Sequence, residues 1–166
     1  DGPILCGHAC SLINLKGNAL DGALDLIARS GRSVAALPTT NLYLQGRTEG
    51  TPDRRGLTRL RELRAAGVPV VIGTDNVRDA FCPVGRHDPR NSLAMAVLAA
   101  HLDPPLAELW PMITTDAERA LGVPPTYVDQ ASVTDLVITA ASSSTDALGG
   151  DFPLQPLQSY PHRSLL

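Results

Sequence analysis

Short apolar runs alternate with amphipathic stretches along most of this chain. Val68-Pro69-Val70-Val71-Ile72 is nearly continuous in its hydrophobicity, the pattern of a strand buried on both faces. It closes on Gly73-Thr74-Asp75-Asn76. Two earlier runs have the same form: Pro3-Ile4-Leu5-Cys6-Gly7, which delivers His8 at its end, and Ser33 to Leu37, stopped by Pro38. Between them Leu20, Leu24 and Ile27 share one helical face, with Asn18 as a candidate cap and Gly31 where a left-handed terminal residue belongs. A long polar loop, Thr39 to Arg55, follows the second strand and carries Asn41, Gln45 and Arg47. From Gly56 a helix sets Leu57, Leu60 and Leu63 on one side and ends at Gly67. The order strand, helix, strand, helix, strand predicts parallel strands joined by right-handed crossovers.

Beyond Asp75 the pattern loosens. A second loop runs to Arg90, then a helix from about Ser92 to His101 and a short one from Leu106 to Met112. Thr115-Asp-Ala-Glu118 has the form of a capping box for a helix ending at Gly122. Pro124-Pro125 breaks the pattern, and Asp135 to Thr139 reads as a strand of a smaller module. Residues 143–150 are rich in Ser, Thr and Gly, and 151–166 in proline, without clear periodicity.

Composition adds bounds rather than detail. The 166 residues are 43% hydrophobic and 19% charged, with a net charge of -3, which leaves no electrostatic footprint for nucleic acid. No apolar run is long enough to span a bilayer. The opening Asp-Gly-Pro-Ile-Leu lacks the basic n-region of a signal peptide and lacks an initiator Met, so a native start upstream is expected. Cys6, Cys10 and Cys82 are odd in number and form no C-x-x-C pair. They read as reduced, buried thiols of a cytoplasmic protein.

Candidate chemistry gathers at strand ends. In parallel α/β architectures the loops at the carboxyl ends converge on one opening. Asp75 is placed there to ligate a metal or move a proton, or else to close an Asx-turn or cap a helix. His8 is either a functional imidazole or a core ring satisfied by a backbone carbonyl. His87 reads as a loop residue and His101 as a helix-surface residue.

Taken together, Asn41-Leu-Tyr-Leu-Gln-Gly-Arg47, Arg54-Arg-Gly-Leu-Thr58, Gly73-Thr-Asp-Asn76 and Pro83-Val-Gly85 resemble bacterial cytosine deaminases of the amidohydrolase superfamily. Gly-His-Ala at 7–9 and Ile113 to Leu121 fit the same family, and the resemblance covers roughly 1–140. It implies an α/β fold: the last three strand–helix units of a (β/α)₈ TIM barrel over 1–123, and part of a small β-domain with the tail over 124–166. It implies hydrolytic deamination of a cytosine-like pyrimidine or triazine amine. His8 would orient or polarise the attacking water and the substrate. Asp75 would bind one divalent metal ion, zinc or iron, and accept the proton of its water. Asn76 would lie against the ring, and Phe81 would help wall the pocket.

The family's His-x-His of the first strand and His-x-x-Glu of the fifth are absent from this chain, and Arg86 to Arg90 lengthens the loop after Gly85. The chain is therefore expected to be the C-terminal portion of a longer product, inactive alone, with further metal ligands supplied elsewhere. A small-molecule substrate, a homo-oligomer at full length, and neither nucleic-acid nor membrane partners are expected. The alternative is a non-catalytic partial-barrel remnant or binding module.

Overall fold

The computed structural model describes residues 2–51 and 56–159. Its centre is a parallel sheet of β1 (Leu5–Gly7), β2 (Ser33–Ala36) and β3 (Val70–Ile72), in that spatial order. The register sets Gly7 beside Ala35 and Ala35 beside Val71. Each of the three runs ends within a few residues of the same edge, so the groups that follow them emerge together. All three residues of β3 are buried, as the continuous apolar run requires.

Helix α1 (Asn18–Arg29) makes the first crossover and turns Leu20, Leu24 and Ile27 toward the core. Its cap is Gly17, at φ 50, and Asn18 is already helical without a side-chain capping bond. The glycine takes the turn conformation that asparagine would otherwise have to support. Gly31 follows the helix in the left-handed region, φ 64, as predicted.

The predicted loop after β2 is in its first part a helix, α2 (Pro38–Leu44). Proline at the first helical position loses nothing, since that amide has no partner within the helix and the ring presets φ. The Asn41 amide donates to the Leu37 carbonyl at 3.0 Å. Thr40 and Asn41 are each only 1% exposed, so polar residues point inward here, and an apolar periodicity was never available to reveal the turn.

Helix α3 (Leu60–Ala65) starts four residues later than predicted. Gly56, at φ 68, passes so close to Gln45 that a Cβ there would collide with that side chain, and the chain reaches Leu60 before it coils. Leu57, Leu60 and Leu63 are buried together as expected. They join Val34, Val70 and Ile72 in one continuous cluster.

After β3 comes α4 (Pro89–Ala100), which begins ahead of the predicted Ser92 because the Asp88 carboxylate accepts the Arg90 amide at 3.0 Å. His101 ends it in the left-handed region, exposed. A 3₁₀ segment, Leu106–Ile113, buries Leu109 and Met112, and α5 (Thr115–Ala120) follows. The predicted capping box does not form. The cap is Thr114, whose hydroxyl donates to the Trp110 carbonyl at 2.9 Å, and Glu118 accepts the Thr126 amide at 3.0 Å.

Strand β4 (Val137–Ile138) pairs antiparallel with β5 (Gln155–Pro156), so the proline-rich tail does contribute a strand. Between them the Ser/Thr/Gly-rich stretch forms α6 (Ser144–Gly149), capped by the Ser143 hydroxyl accepting from the Asp146 amide at 3.0 Å. Leu148 packs on the main core, and Arg90 donates to the Phe152 carbonyl at 3.0 Å. Among the described residues no helix is long and apolar enough to cross a membrane.

Candidate active site

Where β1 ends, the chain turns sharply. His8 donates its amide to Ala35 at 2.9 Å, continuing the ladder by one bond, and then His8 and Ala9 take left-handed backbone angles, φ 65 and 49. The turn is held from below. Thr58 donates its hydroxyl to the Ala9 carbonyl at 2.9 Å, and the Arg59 guanidinium donates to the carbonyls of Leu12, Ile13 and Leu15 at 3.3, 3.1 and 3.0 Å.

Where β3 ends, Gly73 donates to the Ala36 carbonyl at 3.0 Å, and a Cβ there would lie 2.7 Å from the Leu37 side chain. A side chain there would push the end of Leu37 aside. Two residues on, Asp75 is left-handed, φ 54. A non-glycine residue there stores strain, of order 1–2 kcal/mol, and two such residues face each other here across the sheet's carboxyl edge.

The result is a pairing of His8 with Asp75. The His8 Nε2 and Asp75 Oδ2 atoms are 3.9 Å apart, with the imidazole half exposed and the carboxylate 22% exposed. That distance is too long for a hydrogen bond. Asp75 Oδ2 is itself buried and, among the described residues, has no hydrogen-bond partner. A buried carboxylate oxygen without a donor is costly, so this atom is suited to a donor or a cation brought in from outside. On its other side the His8 ring meets Asn41, with Nδ1 2.8 Å from the Asn41 Oδ1.

Asn76 adjoins this pair, but its side chain is already engaged. Its amide donates to Asp79 at 2.6 Å, and its backbone nitrogen donates to the Thr40 hydroxyl at 3.1 Å. Asp79 gathers the loop, accepting also from the amides of Phe81 and Cys82 at 2.8 and 2.9 Å. The Asn76 bond first, and then these backbone amides, hold the Asp79 carboxyl below its ordinary range. Phe81 is on this loop and is 59% exposed. Of the three free cysteines only Cys82 is buried, and Cys6 and Cys10 are partly exposed. Arg54 and Arg55 of the sequence motif lie outside the described residues.

Asn41, Thr40, Thr58 and Asp79 were not given roles from sequence. Asn41 and Thr58 fall within the sequence motifs, but the local pattern carries no signal for their burial. Among the described residues no group of three or more His, Cys, Asp or Glu side chains could hold a metal ion. A cleft of about 540 Å³, lined by Ser33, Arg64, Pro69, Glu108, Asp116 and Arg119 among others, opens at the amino ends of the strands. It is at the opposite end of the sheet from His8 and Asp75.

A sequence profile of the amidohydrolase family matches residues 4–127, three quarters of the chain and all of the parallel sheet. The chain belongs to the amidohydrolase family. Over 124 residues it is 44% identical to a pterin deaminase of Rhizobium rhizogenes, covering 74% of this chain and 28% of that protein. It is 33% identical over 115 residues to an imidazolonepropionase of Bacillus velezensis, covering 69% of this chain and 24% of that one. This amidohydrolase chain therefore spans about a quarter of the length of the curated relatives it matches. Among solved structures, 5-methylcytosine deaminase from Klebsiella pneumoniae liganded with 5-fluorocytosine superposes with a TM-score of 0.80 at 25% identity. That match covers 90% of this chain and 37% of the other. N-isopropylammelide isopropylaminohydrolase from Burkholderia multivorans shares the fold at a TM-score of 0.63 and 24% identity, covering 87% and 34%.

Proposed function

We propose that this chain supplies the sixth, seventh and eighth strands of a (β/α)₈ barrel, over 1–123, and part of a small β-domain, over 124–166. The complete protein is a hydrolytic deaminase of a cyclic amidine, and this chain brings His8 and Asp75 to its reaction centre. The observation that carries the reading is the pair itself, an imidazole and a buried carboxylate oxygen without a donor among the described residues, at the carboxyl ends of two parallel strands. A barrel opens at that face and gathers its chemistry there.

The residues present fit part of a metal site, since the orphaned Asp75 oxygen is a hard anionic donor of the kind divalent ions take. Asp75 would hold zinc or iron together with ligands from outside this chain, and such an ion lowers the pKa of its bound water to about 7. Asp75 then accepts a proton from the water. The water oxygen bonds to the amidine carbon, the carbon–amine bond breaks, and the proton leaves with ammonia. His8 orients the water. Asn76 and Phe81, on the loop that follows, border the ring. The substrate class is the ring –N=C(NH₂)– shared by cytosine-like, triazine and pterin compounds. The pterin amine enters on the 44% identity to the Rhizobium enzyme.

The test uses the natural-length protein that carries this chain. Ammonia release is followed from cytosine, isocytosine, triazine amines and pterin, with metal content measured beside kcat. Asp75→Ala should lower kcat by several orders of magnitude and weaken metal retention. His8→Ala should cripple turnover with the metal largely in place, and the two losses should be strongly non-additive because both act on one water. Asp75→Ala that keeps its metal and most of its activity would overturn the assignment.

A further inference from the structure

We infer that Asn41 is a positioning residue whose side-chain oxygen fixes His8 as the Nδ1–H tautomer, leaving the Nε2 lone pair facing Asp75. This rests on the reading of His8 and Asp75 as the pair that handles water. A carboxamide oxygen only accepts, so at 2.8 Å the hydrogen of that bond belongs to His8 Nδ1. In the neutral ring Nε2 then carries none. Asn41 is well placed to impose the choice. It is 1% exposed, it sits in the first turn of α2, and its amide is tied to the Leu37 carbonyl.

The consequence lies across the ring. With Nδ1 protonated, Nε2 and Asp75 Oδ2 are two acceptors facing each other over 3.9 Å. Among the described residues nothing donates to the carboxylate oxygen. Such a gap accepts a water that offers one hydrogen to each side, or a cation. In the opposite tautomer Nε2–H would point toward Asp75, and the gap between them would no longer suit a water donating to both sides. The tautomer therefore keeps the gap suited to that water. The Asn41 Nδ2 group is buried without a partner among the described residues, so in this orientation its donors are unsatisfied there. Exchanging its oxygen and nitrogen would reverse the tautomer, and the experiment decides between the two directly.

The natural-length protein, labelled with ¹⁵N at histidine, is examined by long-range ¹H–¹⁵N correlation, and His8 is assigned by its loss in His8→Gln. In the neutral ring of the wild type, Nδ1 should carry the hydrogen and Nε2 should be of the unprotonated type. In Asn41→Leu the ring should shift toward Nε2–H. There kcat should fall by about 10–100-fold, the range found when the partner that orients a metal-bound imidazole is removed, with KM and metal content little changed. Asn41→Asp keeps both shape and acceptor. It should retain the tautomer, which separates loss of the acceptor from loss of the side chain's shape.

A wild-type His8 in the Nε2–H form overturns the inference. So does an Asn41→Leu variant whose tautomer and kcat match the wild type. Should Asn41→Leu not fold, the wild-type spectrum and the isosteric Asn41→Asp decide the matter. The tautomer is read without substrate. Absence of deamination would therefore count against the proposed function alone, and a reversed tautomer in an active enzyme against Asn41 alone.

Discussion

Arg59 offers a quantitative test of how the turn after His8 is held. Arg59→Met keeps the apolar stem of the side chain and removes its donors. The guanidinium reaches three main-chain carbonyls, those of Leu12, Ile13 and Leu15, and the Glu62 carboxylate at 3.0 Å. A hydrogen bond from a charged donor contributes about 1.5–3 kcal/mol. Two of the three bonds share one nitrogen and the third is long, at 3.3 Å, so they are better counted as two. The side chain is 21% exposed, so water can reach some of the freed carbonyls, and the half-exposed Glu62 pair adds at most about 1 kcal/mol. The net expectation is about 2–4 kcal/mol. At the lower end, exchange of the Leu12 and Leu15 amides, which close the turn on Ala9 and Leu12, should accelerate about 30-fold. Native-state hydrogen exchange of the natural-length protein measures this residue by residue. Arg59→Lys, a point charge without the planar fork, should fall between the two. Exchange at these amides unchanged between Arg59→Met and wild type would refute the claim that Arg59 anchors the turn.

Three other outcomes are expected. Asn76→Asp sets a second carboxylate beside Asp79 and should redistribute activity among cytosine, isocytosine and triazine amines; equal loss of kcat/KM on all of them would indicate a structural role. The Arg90 side-chain hydrogen bond, ahead of the Arg90 amide and the Arg90 and Arg86 charges, holds the Asp88 carboxyl below its ordinary range. Its folded value lies below its unfolded one, so its stabilisation is complete above about pH 4 and is lost as pH falls through the folded value. Asp88→Ala should cost about 1–2 kcal/mol at pH 7, and thermal melts at pH 7 and pH 3 should show the gap from wild type closing in acid. The 166 residues expressed alone leave both outer strands, β1 and β3, with an unpaired edge and should associate or fold only partly; a monodisperse monomer with a sharp cooperative melt would count against the barrel reading.

Whatever rests on apolar periodicity was legible in advance. The three strands, their parallel order and the faces of α1 and α3 follow from where Leu, Ile and Val fall, and the pairing of His8 with Asp75 follows from strands ending at one edge. Helix α2 was hidden because its inward residues are Thr40 and Asn41, polar side chains whose burial depends on partners distant in sequence. The Thr115 capping box failed for a related reason: Glu118 meets the Thr126 amide, eight residues on, and no local pattern encodes that contact. Asn76 was legible as a neighbour of the site, but its engagement by Asp79 depends on how the loop folds back.

The left-handed angles at His8 and Asp75 set two demands on the sequence against each other. Glycine at either position would relieve about 1–2 kcal/mol of backbone strain and would abolish the side chain that the proposed chemistry uses. Selection for folding alone would therefore admit glycine, and next asparagine, at positions 8 and 75. Selection for turnover would hold histidine and aspartate there. A library randomised at these two codons and sorted separately for each property should divide into non-overlapping pools. A lineage that had given up catalysis would be expected to lose these two residues early, because at these sites losing function makes the protein more stable.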